Sequence, residues 1–344
     1  MDSIDVLQEL VRAPGPGGQE EAVAEVFRGY LGELNLPYST DAKGNVHVTL
    51  GDPERAKRIV VTAHLDEIAM IVRGIYTDGS LRIGSLGGLY PWKIGEGPVE
   101  ILTTSGGIPG VLSFGSIHTD DPSANVQRAK EHGLDWAMCS VFTGQTVSAL
   151  KHKGVRVGSR VVVAQSRRDL WFVGDFVAGY FLDDRADLLA MLLTLELLKD
   201  ENIDATFLAT AAEEVGGEGA QYALQSLLPE VCIALELGPL VPDAPAVLSP
   251  FPTVWVQDSY SSTSAADLDL LADTAQSLGH PLQFQAFSRG GSDASCAASR
   301  GLCARPITLG IPMENSHGFE IMHKDAPQTL AEFTVALVNR LQKE

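Results

Sequence analysis

Five short segments of the sequence carry histidine and carboxylate side chains of the kind that bind divalent metal ions. These segments are His64 to Asp66, Asp183 with Asp184, Glu213 with Glu214, Glu236, and His317. Taken singly, each has an ordinary explanation, because isolated histidines usually pack inside a protein and acidic residues before a helix usually cap it. Nitrogen and oxygen donors in five segments of one chain instead favour a transition-metal site.

The spacing of His64 and Asp66 predicts a histidine ligand whose ring is held by a neighbouring carboxylate. The apolar run R-I-V-V-T-A at 58–63 is typical of a strand that ends at His64. Side chains two residues apart in a strand point to the same side, so Asp66 can accept the proton on the imidazole nitrogen that faces away from the metal. We therefore expect His64 to bind metal and Asp66 to orient it.

Asp183 and Asp184 stand at the start of a predicted helix over residues 184–199. The first turn of a helix favours negative charge. A carboxylate in that position can bind two cations with its two oxygens, and Asp183 is the residue that we expect to bridge them.

Glu213 and Glu214 follow an apolar run over residues 205–212 and precede V-G-G. In an extended chain adjacent side chains diverge, so one carboxylate can bind metal while its neighbour reaches a water that the metal makes acidic. The same divergence argues against a glycosidase, whose two carboxylates must flank one glycosidic bond. The pair therefore predicts metal-assisted hydrolysis.

The elements that must position these segments alternate between helix and strand. Apolar periodicity and capping residues predict helices over 2–12, 20–34, 184–199, 219–227, 264–279 and 330–341, and strands over 58–63, 205–212, 231–235 and 306–309. This order is typical of an α/β domain with a largely parallel sheet. Such sheets bind ligands at the carboxyl edge of their strands, where we expect the candidate segments to lie.

Residues 72–168 differ in composition from the rest of the chain. They are rich in glycine and contain short runs in which apolar and other residues alternate, such as 99–103, 110–113 and 160–163. Short helices are predicted near 122–132 and 145–151. The pattern indicates a barrel-like, β-rich domain inserted into a discontinuous catalytic domain of residues 1–71 and 169–344. A module this small would struggle to bury its apolar strands alone, so a partner subunit is expected to cover them.

The overall composition limits the partners and the location of the chain. Acidic residues number 44 against 25 basic ones, a formal charge of −19, which argues against nucleic acid or an anionic membrane as a partner. The first residues lack the basic start and apolar run of a signal peptide, and the apolar stretch at 188–198 is too short to span a membrane. The four cysteines are scattered and predicted to be reduced core residues. A cytoplasmic location is expected.

The glycine-rich run R-G-G-S-D at 289–293 could also suggest a phosphate-binding loop. No lysine follows it and no strand leads directly into it, so it lacks residues that such loops need. A turn capped by Ser292 or Asp293 is the better interpretation.

Five motifs resemble, in their order along the chain, those of the tetrahedral aminopeptidases, the glutamyl and deblocking metallo-aminopeptidase family within the clan of dinuclear zinc exopeptidases. They are A-H-L-D-E at 63–67, L-D-D-R at 182–185, A-E-E-V-G at 212–216, G-G-S-D-A at 290–294 and S-H-G-F-E at 316–320. The resemblance covers essentially the whole chain. It implies an α/β fold with a three-layer αβα catalytic domain, a β-rich insertion, and removal of amino-terminal residues from peptides.

The resemblance also implies two divalent ions per subunit, zinc or else cobalt. One ion would be held by His64, Asp183 and Glu236, and the other by Asp183, Glu214 and His317. Glu213 would be the general base, Asp66 would orient His64, and the Asp183–Asp184 peptide bond would be cis. The insertion would form dimer contacts, and dimers would assemble into a hollow twelve-subunit particle that admits short peptides.

Three positions leave alternatives open. Glu236 stands where relatives more often have aspartate, and M-E-N at 313–315 replaces an arginine–tyrosine pair, so no side-chain preference is carried over. His118 and His323 are alternatives to His317, which is favoured by its motif.

Two other functions are compatible with the same residues. An amidohydrolase acting on acylated amino acids would need the same metal core. A catalytically silent scaffold stabilised by metal would not need Glu213, which is not required as a ligand.

Overall fold

Two β-structures organise the chain, an eleven-stranded sheet and a closed six-stranded barrel. The computed structural model describes residues 2–344. The helices are α1 Ser3–Arg12, α2 Glu21–Glu33, α3 Pro53–Ala56, α4 Pro91–Ile94, α5 Asn125–His132, α6 Val147–His152, α7 Leu182–Leu198, α8 Glu218–Leu227, α9 Ala265–Leu278, α10 Asp293–Ala298 and α11 Ala326–Leu341. The strands are β1 Ser39–Thr40, β2 Val46–Leu50, β3 Ile59–His64, β4 Ala69–Ile75, β5 Leu81–Leu86, β6 Gly97–Thr103, β7 Gly106–Ser113, β8 Ser140–Phe142, β9 Arg160–Val163, β10 Trp171–Val173, β11 Phe176–Tyr180, β12 Ala205–Thr210, β13 Val231–Pro239, β14 Thr253–Gln257, β15 Gln283–Ala286, β16 Arg305–Glu314 and β17 Phe319–His323.

The large sheet runs in the order β1-β2-β12-β3-β13-β16-β17-β11-β10, with β14 also paired to β16 and β15 paired to β14. Its centre, β12-β3-β13-β16, is parallel, and antiparallel strands flank it on both sides. Parallel strands are buried on both faces, which explains their near-continuous apolar runs. One apolar core includes α1, α2, α7 and α11, and the other includes α8 and α10. The predicted three-layer α/β architecture is confirmed.

Helix α7 packs against the large sheet, and nearly all of its residues are buried. It packs on β3 and β13 and is covered in turn by α1 and α11. A helix enclosed in this way is expected to be apolar all round, and residues 188–195 are apolar apart from Thr194. No helix within residues 2–344 combines the length and the hydropathy needed to cross a bilayer. The four cysteines are buried and free, as expected.

Strands β4 to β9 close into a barrel in the order β4-β5-β8-β7-β6-β9, with its own apolar core. The β-rich character of the insertion is thus confirmed, and both short predicted helices exist as α5 and α6. The first barrel strand begins at Ala69, three residues before the predicted boundary, because the chain passes from β3 into the barrel through one short connection.

Several element boundaries were predicted wrongly. Strand β12 ends at Thr210, two residues early, because Ala212 takes the left-handed conformation at φ 56° and the chain turns there. Strands β13 and β16 continue past 235 and 309, to Pro239 and Glu314, because their pairing extends to Pro239 and Met313. Helix α11 begins at Ala326 rather than at 330, since Pro327 is tolerated in a first helical turn.

A buried ion cluster joins the connection between β3 and β4 to helix α7 and to the segment that follows the barrel. Glu67 Oε2 accepts hydrogen bonds from Arg168 Nη1 at 3.0 Å and from Arg185 Nη2 at 2.8 Å. None of the three side chains is more than 1% exposed. Two guanidinium groups that water cannot reach therefore share the single negative charge of Glu67.

Glu67→Ala is expected to lower the free energy of unfolding by about 3–5 kcal/mol, because two buried arginines lose their counter-charge. Chemical denaturation measures the change. The matched control is Glu54→Ala, which removes an exposed partner of Lys57 and should cost less than about 1 kcal/mol. Equal effects of the two substitutions would contradict the assignment.

Candidate metal centre

His64 is the last residue of β3, and its ring lies almost entirely buried. Its Nε2 is 3.1 Å from Asp183 Oδ1. Its Nδ1 is 3.1 Å from the backbone oxygen of Asp66 and 3.5 Å from the carboxylate oxygen Oδ1. Asp66 therefore contacts the nitrogen that was predicted, but the backbone oxygen is the nearer partner.

Asp183 lies between two histidines. Its Oδ1 is 3.1 Å from His64 Nε2, and its Oδ2 is 3.4 Å from His317 Nε2. The peptide bond between Asp183 and Asp184 is cis, and both residues have non-helical backbone angles, so the regular part of α7 begins after them. The position between two imidazoles is the one expected of a carboxylate that bridges two cations.

The donor atoms fall into two groups that could each hold a metal ion. Within each group, one ligand atom from every residue lies within 4.8 Å of the others. The groups are His64, Asp183 and Glu236, and Asp183, Glu214 and His317. These sets are the ones that the family resemblance implied, and they share Asp183. Imidazole nitrogen and carboxylate oxygen are a suitable donor set for zinc and similar ions.

Glu213 and Glu214 lie in a turn after β12 rather than in an extended strand. The Asp66 carboxylate fixes this turn by accepting the backbone N–H of Glu213 at 2.8 Å and that of Glu214 at 3.1 Å. Glu214 Oε1 lies 3.5 Å from His317 Nε2. Glu213 belongs to neither donor group within residues 2–344, yet it lines the same cavity of about 440 Å³. Glu214 thus belongs to a donor group and Glu213 does not, as predicted, although a turn rather than an extended strand separates their side chains.

His317 lies in the loop between β16 and β17 with a left-handed φ of 59°. Its Nδ1 is 3.0 Å from the backbone oxygen of Gly88, in the barrel segment after β5. The barrel therefore contributes directly to the site, which the sequence did not reveal. His323 lies in β17 near Asp325, and His118 is exposed in a loop. Neither belongs to a donor group among the described residues.

Glu236 does not follow a strand, as was expected, but lies inside β13 opposite Gly310 of β16. Its carboxylate is buried, and its Oε2 accepts the backbone N–H of Leu237 at 3.0 Å. The facing glycine accommodates the neighbouring strand β14, since a Cβ on Gly310 would lie 2.6 Å from Thr253 Oγ1.

Burial makes the charges of the centre costly. It raises the pKa of Glu213 and Glu236 well above their usual range, and that of Glu214 to about 7. Burial disfavours the charge of His64, but Asp184 and Asp183 raise its pKa overall. Burial also opposes the charge of Asp183, yet hydrogen bonds from His317 and His64 hold its pKa well below the usual value. The centre thus holds several buried carboxylates and few positively charged groups. A bound metal ion would compensate this excess of negative charge.

Several buried polar residues around the centre were missed from the sequence. Asp187 lies one helical turn after Asp183, and neither of its carboxylate oxygens has a hydrogen-bond partner among the described residues. Burial raises its pKa and that of Asp184. Glu320 is buried, with a pKa raised by that burial to about 8. The sequence offered one signal for Asp187, namely a further acidic residue four positions after Asp183 and directly before the apolar run of the helix.

The glycine-rich segment forms the rim of the cavity. Gly290 and Gly291 line it, together with Arg289. The side chain of Ser292 caps α10 by accepting the backbone N–H of Ser295 at 3.2 Å. The predicted capped turn is confirmed. An aromatic wall of Trp255 and Phe287, with ring centroids 4.8 Å apart, closes another side of the cavity.

Comparison with known proteins identifies a family. The model of the M42 glutamyl aminopeptidases matches residues 44–333. A lysyl aminopeptidase of Pyrococcus furiosus is 26% identical over 68% of this chain and 66% of its own length. A glutamyl aminopeptidase of Lactococcus lactis is 25% identical over 70% of this chain and 67% of its own length. The chain thus matches about two thirds of the length of these relatives.

Solved structures show the same fold over the whole chain. The TET1 peptidase of Pyrococcus horikoshii, described as assembling into a tetrahedron or a large octahedral shell, has a TM-score of 0.85 at 24% identity, covering 98% of this chain and 99% of its own. A TET aminopeptidase from a marine-sediment Thaumarchaeota archaeon has a TM-score of 0.87 at 23% identity, with 98% and 96% covered.

Proposed function

The chain belongs to the family of M42 glutamyl aminopeptidases, and we propose that it is a metallo-aminopeptidase that removes amino-terminal residues from short peptides. The observation that carries this proposal is the pair of donor groups sharing Asp183, with Glu213 beside them in one cavity. A carboxylate that is free of ligand duty next to a metal centre is suited to proton transfer.

The ligand assignment is part of the proposal. His64, Asp183 and Glu236 would hold one ion, and Asp183, Glu214 and His317 the other, with zinc or cobalt as suitable metals. When bound, the ions would supply Lewis acidity toward the scissile carbonyl and lower the pKa of the attacking water. Asp66 would keep the His64 ring and the Glu213–Glu214 turn in place.

Glu213 is proposed as the general base. It would take a proton from the attacking water and later deliver that proton to the leaving amine, so that bond cleavage does not release an unprotonated amine anion. Burial raises the pKa of Glu213 in the metal-free protein, and the two cations proposed beside it would favour the carboxylate form that accepts a proton. Its turn is anchored through a backbone N–H, which leaves the carboxylate available to face the cavity.

A comparison of blocked and free substrates tests the activity. Short peptides with a free amino terminus are expected to be hydrolysed at least about tenfold faster than their N-acetylated forms, because an aminopeptidase must bind the free amine. The two hydrolysis rates would be measured with metal-reconstituted protein on a panel of aminoacyl reporters and their N-acetylated forms. Preference for the acetylated forms would favour the amidohydrolase. No hydrolysis of either set, with metal bound, would favour the silent scaffold.

Domain organisation and assembly also remain proposals. We assign residues 1–71 and 169–344 to the catalytic domain, and residues 72–168 to a dimerisation and substrate-access domain. Exposed apolar side chains on the insertion, including Val111, Phe142 and Val157, support a covering partner subunit. We propose homo-dimers that build a twelve-subunit particle, whose mass light scattering would measure. The cytoplasmic location stays a prediction.

A further inference from the structure

Three buried carboxylates outside the two donor groups accept hydrogen bonds from the backbone of the segments that carry the donors. Asp184 Oδ2 accepts the N–H of His64 at 2.6 Å. The Asp66 carboxylate accepts the N–H groups of Glu213 and Glu214. Each bond joins segments more than a hundred residues apart in the sequence. A side chain that accepts a backbone N–H fixes the path of the main chain, and so the origin of the ligand side chain.

Glu320 makes the third and most direct of these connections. Its Oε2 accepts the N–H of Asp183 at 3.1 Å, and its Oε1 accepts the N–H of His317 at 2.8 Å. The side chain is 1% exposed. Glu320 itself lies in β17, paired with Gly179 of β11, so its carboxylate projects from a regular sheet strand. One carboxylate thus spans the backbone of the shared donor residue and that of His317.

The loop that carries His317 needs such a support. His317 and Asn315 both have left-handed φ angles, of 59° and 62°, a conformation that asparagine tolerates better than most non-glycine residues. The His317 side chain is 32% exposed, far more than that of His64. Without the Glu320 bond, the loop could relax toward ordinary backbone angles and carry the imidazole away from Asp183.

We propose that Glu320 is a positioning residue for the ion that Asp183, Glu214 and His317 would hold, an inference that rests on the proposed function. Its two oxygens set the distance between the backbone of the shared ligand and that of the terminal one. Glutamine cannot reproduce this, because an amide offers one acceptor oxygen and its NH2 group would face a second N–H donor.

The proposal is tested by comparing the metal affinities of the Glu320→Gln variant with those of the wild type. Chelator competition is expected to show one of the two ions bound about 10 to 100 times more weakly than in the wild type, with the other within about threefold. Combining the substitution with His317→Ala identifies the ion, since the double variant should lose no more affinity than His317→Ala alone. Thermal unfolding of the metal-free proteins shows whether the fold is retained.

Two further variants keep the test decisive. Glu314→Gln removes the same charge from an exposed position in the same hairpin and should leave both affinities unchanged. If Glu320→Gln fails to fold, Glu320→Asp keeps the charge but is too short to reach both N–H groups, and the same selective loss is expected. Unchanged affinities, or equal losses at both ions, would overturn the proposal. A wild type that binds no pair of ions would instead overturn the proposed function.

Discussion

Glu213→Gln is expected to lower turnover at least about a hundredfold while leaving the fold and the metal content nearly unchanged. The amide has the same shape but cannot take a proton from water. The hydrogen bond from Glu213 to Asp66 uses the backbone N–H and survives the substitution. Glu213 belongs to neither donor group of the described residues, so both ions should remain. Steady-state kinetics, metal analysis and thermal unfolding measure the three effects.

The neighbouring Glu214→Gln is the matched control. It removes an equally buried carboxylate, but one that lies 3.5 Å from His317 Nε2 and belongs to a donor group. We expect this variant to lose metal affinity as well as activity. If Glu213→Gln lost metal while Glu214→Gln retained it, the roles of the two residues would be reversed.

His317→Ala is expected to remove one of the two metal equivalents and with it nearly all activity, because no other side chain of its loop replaces the Nε2 donor. Metal analysis of the purified variant at a concentration that saturates the wild type gives the stoichiometry. Alanine keeps the β-carbon and the left-handed backbone strain of the histidine, so the comparison isolates the ring.

His323→Ala should retain both equivalents. His323 lies in β17, with its Nδ1 beside the backbone N–H of Asp325 and its ring packed edge-on against Phe176 at 5.5 Å. Its loss removes packing, and the expected effect is a modest loss of stability. The opposite pattern of metal loss would move the ligand from His317 to His323.

Much of this arrangement could be predicted because the metal centre requires particular residue types at the ends of elements with clear periodicity. His64 ends an apolar run, and Asp183 begins the most apolar helix of the chain. The parallel order of β3, β12 and β13 then brings their carboxyl ends together. Local patterns therefore marked the candidate residues, whereas their division into two donor groups came from the resemblance to the aminopeptidase family.

What could not be predicted depends on contacts between distant segments. The contact of Gly88 with His317 is made by a backbone oxygen, which has no sequence signature. Glu320 was visible only as part of a motif, because its role arises from N–H groups that the fold brings to it. The extent of β13 past 235 follows from its pairing with β16, and so Glu236 was misplaced at a strand end.

The central claim is that peptide hydrolysis by this chain depends on two ions held by the donor groups that share Asp183. The most direct measurement is a titration of metal-free protein with Zn2+ or Co2+, recording bound metal and hydrolysis of a free-amine peptide in the same samples. We predict negligible hydrolysis without metal and full activity only as a second equivalent per chain binds. Full activity in the metal-free protein, or with a single bound ion, would contradict the account.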